Sequence, residues 1–223
     1  MVPGIRLVLL GKQGAGKGTQ CVRLARHYVV SHVSTGDIFR AAVRAGTEFG
    51  RAVKEYLDAG ELVPDDVVVG AVGERLNHPD TRSRGFILDG FPRSVSQAHG
   101  LGKLLDPIRL DMVIDLHIST DEALSRLNGR RVCSTCAAIY HVSKPPKYDW
   151  TCDNCGGEVV QRDDDTDDAI RRRLQLYEEE TKPLIEYYFD RGMLITVDGL
   201  GTTDQVAERL TAAIDRRREQ GGA

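Results

Sequence analysis

Five short apolar runs alternate with amphipathic stretches along the chain. The runs are Ile5–Leu10, Val29–Val33, Phe86–Leu88, Met112–Leu116 and Leu194–Val197. Continuous apolar runs of this length are typical of strands buried on both faces, and the stretches between them have helical spacing of apolar residues. Alternating strands and helices predict a doubly wound α/β fold with a five-stranded parallel sheet. In such a fold, ligands bind beyond the carboxyl ends of the strands.

A glycine-rich loop follows the first predicted strand. Residues 11–19 read Gly-Lys-Gln-Gly-Ala-Gly-Lys-Gly-Thr, and a helical pattern follows over residues 21–28. Strand, glycine loop and helix in this order are the context of a phosphate-binding loop, in which backbone N–H groups and the helix dipole bind anions. A plain strand-to-helix turn would also use glycines, but Gly16 and Lys17 in register favour nucleotide binding, with Lys17 as a mobile positive charge.

One position of this loop departs from the general pattern. Gly18 stands where a Ser or Thr hydroxyl normally ligates Mg²⁺, and Thr19 comes one place later. The departure predicts a less direct contact with Mg²⁺ and argues against GTPases and most ATPase motors.

Polar residues also follow the second and third predicted strands. Residues 34–37 read Ser-Thr-Gly-Asp, which alone is most simply a helix cap, and residues 89–93 read Asp-Gly-Phe-Pro-Arg. Asp89, at the end of a buried strand beside a phosphate loop, fits an acid linked to Mg²⁺, although a turn residue before glycine is the alternative. Arg93 fits a phosphate clamp. A further helix, predicted at residues 48–59, completes a small helical flap with little apolar surface.

Four of the five cysteines form two Cys-x-x-Cys pairs. The pairs are Cys133/Cys136 and Cys152/Cys155, with fifteen residues between them. This spacing matches a four-thiolate zinc ribbon and predicts a structural zinc site. Two reduced pairs without metal, an iron–sulfur cluster and a redox pair are the alternatives. The fifth cysteine, Cys21, is predicted to be a small buried apolar residue.

Size and charge limit the remaining possibilities. A chain of 223 residues supports one sizeable core with a small inserted module, and a net charge of −3 argues against a generally basic nucleic-acid binder. No apolar run approaches the roughly 20 residues of a membrane span. The phosphate loop lies too near the start of the sequence for a removable signal peptide, so we expect a cytoplasmic protein, and a monomer.

Taken together, these motifs resemble those of adenylate kinases, specifically the long-lid bacterial type with a zinc-binding lid. The residues that carry the resemblance are Gly-Lys-Gly-Thr-Gln at 16–20, Ser-Thr-Gly-Asp at 34–37, Asp-Gly-Phe-Pro-Arg at 89–93, Gly-Arg-Arg-Val at 129–132, the four paired cysteines, and Arg162 followed by Arg173. The resemblance covers nearly the whole chain.

The resemblance implies an activity and a division into three units. The activity is the reversible Mg²⁺-dependent reaction ATP + AMP ⇌ 2 ADP, with a structural Zn²⁺ in the lid. The core P-loop domain would comprise residues 1–33, 64–128 and 166–223, the NMP-binding flap residues 34–63, and the lid residues 129–165.

The resemblance also assigns roles to individual residues. ATP would be bound by Gly14, Ala15, Gly16, Lys17, Gly18, Thr19, Arg126, Arg130, Ile139, Tyr140 and Gly201. AMP would be bound by Thr35, Arg40, Glu61, Leu62, Val63, Gly90, Phe91, Pro92, Arg93, Gln97, Arg162 and Arg173. The catalytic set would be Lys17, Asp89, Arg93, Arg126, Arg130, Arg162 and Arg173, and the metal ligands Cys133, Cys136, Cys152 and Cys155.

Two departures and two rival functions remain. Gln13 stands where the family usually has Pro, and Glu61 where a basic or amide residue is common. A kinase for UMP or CMP, or one using GTP as donor, would share the fold, but Thr35 and Gln97 favour AMP. A nucleic-acid-binding zinc ribbon could use the basic and aromatic residues of segment 144–150, but the negative charge of the chain argues against it.

Overall fold

The computed structural model describes residues 4–221 and contains the predicted parallel sheet. The sheet has five strands in the order β2-β3-β1-β4-β8, and every neighbouring pair is parallel. Its strands are β1 (Ile5–Leu10), β2 (Ser31–Ser34), β3 (Gly85–Asp89), β4 (Met112–His117) and β8 (Leu194–Asp198). Residues 1–3 and 222–223 of the predicted core segments lie outside the described residues.

Helices connect the strands. They are α1 (Lys17–Tyr28), α2 (Thr35–Arg44), α3 (Glu48–Ala59), α4 (Asp65–Leu76), α5 (Pro79–Arg84), α6 (Val95–Leu105), α7 (Thr120–Asn128), α8 (Asp167–Leu176), α9 (Pro183–Phe189) and α10 (Thr203–Glu219). A π-helical turn, Tyr177–Thr181, joins α8 to α9. Within residues 4–221, no helix is both long and apolar enough to cross a membrane.

The apolar runs predict the sheet closely, with one shift. β1 has the predicted bounds, and β3, β4 and β8 each extend by one or two residues. β2 begins at Ser31 and not at Val29, because Val29 ends α1 in the left-handed conformation (φ 56°). The chain therefore changes direction at Val29, before β2 can start.

The hydrophobic core lies on both faces of the sheet. Alternate residues of β1 separate cleanly: Leu7 and Leu9 pack with α1 and α10, whereas Val8 and Leu10 pack with α4, α6 and α9. The strands are thus buried on both sides, as continuous apolar runs predict. Cys21 of α1 is 0% exposed in the first of these clusters, which confirms its predicted burial.

A second, smaller sheet carries the paired cysteines. It is antiparallel, with the order β6-β5-β7, and its strands are β5 (Arg130–Cys133), β6 (Ile139–His141) and β7 (Val159–Val160). The strands are only two to four residues long and enclose a cluster of Cys133, Cys152 and Val159. Such a small core fits a module that a metal holds together.

Candidate active site

The glycine loop opens an anion site at the start of α1. Gly14 and Gly16 have φ angles of 83° and 96°, a region that favours glycine. Gly16 is the N-terminal cap of α1 and has no side chain with which to occupy the first N–H groups of the helix. These N–H groups, with the positive end of the helix dipole, remain available for a phosphate.

Lys17 lies across the mouth of this loop. Its Nζ donates hydrogen bonds to the carbonyl oxygens of Gly11 (2.6 Å) and Lys12 (2.8 Å). Burial lowers the pKa of Lys17 to about 8, although the nearby carboxylate of Asp89 opposes the shift. A desolvated ammonium held by two carbonyls can turn toward an incoming phosphate.

Asp89 ends β3 beside this lysine. Burial would raise the pKa of Asp89, but contact with His32 and the charges of Lys17 and Arg93 outweigh burial and lower the pKa below its ordinary value. A Cβ atom at Gly18 would lie 3.4 Å from Asp89 Oδ2. The glycine therefore brings the start of α1 close to the carboxylate, which occupies the side where other phosphate loops present a hydroxyl.

The parallel register brings a second set of polar groups to the same edge. Thr35 Oγ1 donates a hydrogen bond to the Gly90 carbonyl (2.9 Å), and Arg93 Nε donates to the same oxygen (2.8 Å). The Gln97 amide accepts from the Arg93 backbone N–H (2.8 Å) and donates to Asp65 (2.8 Å). Gln97 is only 1% exposed, so its side chain is oriented by the protein before any ligand binds.

An arginine cluster faces the phosphate loop from the other side. Arg130 donates to both carboxylate oxygens of Asp165 (2.5 and 2.7 Å). Arg173 donates to Asp165 Oδ1 (3.1 Å) and Asp164 Oδ2 (3.3 Å). Arg162 lies among them, and burial together with the charges of Arg40 and Arg130 lowers its pKa to about 10. Burial and the neighbouring arginines disfavour the charged form of Arg162, so negative charge brought close to this arginine is favoured.

The aspartates in this cluster were not predicted. The acidic run after Arg162 indicates a helix start, and Thr166 does cap α8 with Asp167 in its first turn. Asp164 and Asp165, however, lie outside the helix at 8% and 2% exposure and pair with arginines. Arginines on both sides of two adjacent aspartates were the available signal, because buried carboxylates require such partners.

Two further arginines lie at the rim. Arg126 Nε pairs with Glu122 (2.6 Å), and its Nη1 reaches the Ala15 carbonyl of the phosphate loop (3.3 Å). Arg40 pairs with Asp37 on the same helix (2.7 Å). Both cations therefore face the region between the loop and the arginine cluster.

The end of the flap rests on α8. Glu61 accepts two hydrogen bonds from Arg172, at 2.6 and 3.2 Å. Gly60 ends α3 with a φ of 73°, and a Cβ there would lie 2.6 Å from the Ala169 carbonyl oxygen of α8. Glu61, which departs from the usual residue type, thus has a protein partner that the sequence did not suggest.

One cavity of about 700 Å³ connects the phosphate loop, the polar groups after β2 and β3, and the arginine cluster. It is lined by all the residues predicted to bind nucleotide or to act in catalysis except Phe91. The Phe91 side chain is 1% exposed and packs in the core behind the cavity, so it supports the Asp89–Arg93 turn from within. The volume lies in the range of small-molecule sites.

The four paired cysteines converge at one point. Their Sγ atoms all lie within 4.8 Å of one another, and none is in a disulfide. Backbone N–H groups of Cys136 and Asn154 and the Tyr140 hydroxyl point at these sulfurs at 3.4–3.5 Å. The Tyr140 hydrogen bond lowers the pKa of Cys152 to about 6. Converging thiols that also receive hydrogen bonds fit a tetrahedral thiolate site for Zn²⁺.

The chain is similar to known proteins over nearly its whole length. The family model described as adenylate kinase matches residues 9–193. An adenylate kinase of Thermodesulfovibrio yellowstonii is 48% identical over 96% of this chain and 100% of the relative. Those of Syntrophobacter fumaroxidans (48% identical; 94% and 100%) and Archaeoglobus fulgidus (46% identical; 95% and 99%) are similarly close. The chain belongs to the adenylate kinase family.

Proposed function

We propose that this protein catalyses the reversible reaction ATP + AMP ⇌ 2 ADP. The observation that carries the proposal is the arrangement within one cavity. The phosphate loop with Lys17, the Thr35–Arg93–Gln97 group, and the arginines Arg130, Arg162 and Arg173 all line this one cavity. This arrangement holds two phosphorylated substrates with their phosphates directed at each other.

On the donor side, the loop residues Gly14–Thr19 hold the ATP phosphates through backbone N–H groups. Lys17 leaves its two carbonyl partners and binds the β- and γ-phosphates. Ile139, Tyr140 and Gly201 border the same end of the cavity and cover the adenine. The Mg²⁺ that accompanies ATP would be held through its water ligands by Asp89, with a contribution from Asp37, since Gly18 has no hydroxyl to offer.

On the acceptor side, Arg93 and Arg40 hold the AMP phosphate, and Thr35 and Gln97 border the adenine together with the backbone of 61–63. Phe91 supports this group from the core and does not contact the nucleotide with its side chain. The pre-oriented Gln97 amide presents a fixed donor and acceptor edge, and fixed polar groups discriminate between bases more strongly than mobile ones.

In the transfer step, an oxygen of the AMP phosphate attacks the γ-phosphorus of ATP as the bond to the β-phosphate oxygen breaks. The attacking oxygen is already ionised, so no protein base is required. Arg126, Arg130, Arg162 and Arg173 neutralise the charge spread over the equatorial oxygens, which is the main task of the protein in phosphoryl transfer. Closing the cavity around both nucleotides excludes water and thus prevents hydrolysis.

The test is ADP formation from ATP and Mg²⁺ with AMP, UMP, CMP or GMP in turn, repeated with GTP as donor. We expect strong preference for ATP and AMP. Lys17→Met should lose about 10²–10³-fold in turnover, the cost of removing one donor that stabilises developing negative charge in a transition state. Lys103→Met, an exposed lysine on α6, is the matched control. Preference for another monophosphate would overturn the acceptor assignment, and no activity with any pair would overturn the function.

For the remaining organisation, we propose a structural Zn²⁺ held by Cys133, Cys136, Cys152 and Cys155 in a lid of residues 129–165. The separate antiparallel sheet supports the lid as one unit of the proposed division into core, flap and lid. We propose a cytoplasmic location, because free cysteines without disulfides are typical of that compartment. We also propose a monomer, because flap and lid must open freely; light scattering would test this.

A further inference from the structure

We infer that Cys21, His32 and Asp89 form a second metal site, selective for Zn²⁺ and separate from the lid cysteines. It lies beneath the phosphate loop, where a bound ion would hold the catalytic aspartate and inhibit the kinase. The binding site stands on geometry alone, whereas the inhibition rests on the proposed function of Asp89.

The sheet brings the three residues together. Ser34 of β2 pairs in register with Asp89 of β3, so His32, two residues before Ser34, projects from the same face as Asp89. Helix α1 covers that face, and Cys21 lies on it one turn after Lys17. The sulfur, the imidazole nitrogen and a carboxylate oxygen all lie within 4.8 Å of one another.

These separations are close to those of a formed site. Ligand atoms around a tetrahedral Zn²⁺ lie about 3.3–3.8 Å apart, from Zn–N and Zn–S bonds of roughly 2.0 and 2.3 Å. His32 Nε2 and Asp89 Oδ2 are already 3.4 Å apart. A small rotation of the Cys21 side chain would therefore complete the set without a change of backbone.

The surroundings leave these groups available to a metal. His32 Nε2 is shielded from solvent, and among residues 4–221 it has no well-aligned hydrogen bond despite its contact with Asp89. Cys21 is fully buried in an apolar cluster and takes no part in the proposed phosphoryl transfer. A bound cation would give the buried imidazole nitrogen and the buried thiol a well-aligned partner.

The donor set selects the kind of ion. Mg²⁺ prefers oxygen ligands alone, whereas a thiolate, an imidazole and a carboxylate suit Zn²⁺. Binding displaces the thiol proton of Cys21, and the thiolate and carboxylate then balance the two charges of the ion. His32 and Asp89 both line the nucleotide cavity, so the fourth position opens toward solvent or a phosphate oxygen.

Occupation of the site has a consequence for turnover. A carboxylate bound to Zn²⁺ can no longer orient the water ligands of the Mg²⁺ that accompanies ATP. Zinc should therefore inhibit at concentrations too low to compete with Mg²⁺ for the nucleotide itself. This inhibition would couple the kinase to the supply of free zinc.

The binding experiment uses the full chain with its lid site loaded with zinc. Equilibrium dialysis with metal analysis should find a second Zn²⁺ in the parent protein. Co²⁺ added in place of this second Zn²⁺, with only the lid site loaded, should give a thiolate-to-cobalt absorption band. Cys21→Ser should abolish the band. Cys21→Ser and His32→Asn should each weaken the second binding step at least about 100-fold, since even the loss of an outer-shell partner of a metal ligand costs about 10–100-fold. His78→Asn, an exposed histidine, should bind as the parent does.

The kinetic experiment measures ADP formation at fixed Mg²⁺ and ATP while free Zn²⁺ is raised with a metal buffer. Each variant is compared with its own rate in the absence of added zinc, so a change in basal activity does not confuse the result. The half-inhibiting zinc concentration should rise about 100-fold in Cys21→Ser and His32→Asn. Binding of one zinc only, or equal second-site affinity in all variants, would overturn the site. Second-site binding without inhibition would overturn the role of Asp89 alone.

Discussion

Asp165→Asn tests whether the buried aspartates hold the arginine cluster. Asp165 is 2% exposed and accepts from Arg130 at 2.5 and 2.7 Å and from Arg173 at 3.1 Å. Removing one partner of a buried ion pair costs about 3–5 kcal/mol, because the other charge stays buried without compensation. Asparagine keeps the shape and one acceptor oxygen, so we expect about 3 kcal/mol, the lower end of that range.

This loss is large enough to measure by thermal unfolding. In a chain of this size 1 kcal/mol shifts Tm by about 2–4 °C, so Tm should fall by about 6–12 °C. Asp163→Asn makes the same charge change at an exposed position of the same segment and should have little effect. Circular dichroism at pH 7 measures both variants. If they melt at the same temperature, the aspartate does not hold the cluster.

The pH dependence gives an independent check on the same pair. Burial would raise the pKa of Asp165, but the hydrogen bond and charge of Arg130, with Arg173 and Arg162, lower it. A lowered folded pKa means that the contribution is present above the unfolded value near pH 4 and is lost as pH falls through the folded pKa. The Tm gap between the parent and Asp165→Asn should therefore persist through neutral pH and close only in acid.

Three further predictions follow from other parts of the structure. Cys133→Ser should lower Tm more than it lowers turnover at 25 °C, because the proposed zinc is structural; equally severe losses in both assays would contradict that role. The value of kcat/KM for ATP should fall as pH rises through about 8, since Lys17 loses its charge there; a profile flat to higher pH would show that the charge is dispensable. Gly60→Ala should lower Tm more than Gly46→Ala. Both glycines have positive φ, but only at Gly60 would a Cβ contact the backbone of α8, at 2.6 Å. Equal effects would mean that the flap does not pack against α8 at this point.

The local features of the fold could be predicted from the sequence. Continuous apolar runs gave the strands of the parallel sheet, and Ser34 and Gly60 mark helix ends through ordinary capping chemistry. The start of β2 was wrong by two residues, because Val29 takes a left-handed conformation that its β-branched side chain disfavours. The backbone cap at the end of α1 overrides that preference, because the N–H groups of Val29 and Val30 both donate to the Ala25 carbonyl oxygen.

The partners within the site could not be predicted in the same way. A carboxylate in an acidic run is usually solvated, and the flanking arginines do not distinguish the buried Asp165 from the exposed Asp163 two residues before it. The pairing of Glu61 with Arg172 joins residues 111 positions apart and depends on how the flap meets α8. The π-helical turn after α8 also has no sequence pattern of its own. These features arise from contacts between distant segments.

The seat of Gly60 on α8 limits how this sequence can diverge. The obstacle to a side chain there is the carbonyl oxygen of residue 169, which every amino acid possesses. A substitution at residue 169 therefore cannot remove the clash that a side chain at residue 60 would cause, so a compensating pair of substitutions is not available here. In a related protein that has another residue in place of Gly60, α8 must lie in a different position. Replacement of this glycine should therefore occur together with insertions or deletions near α8.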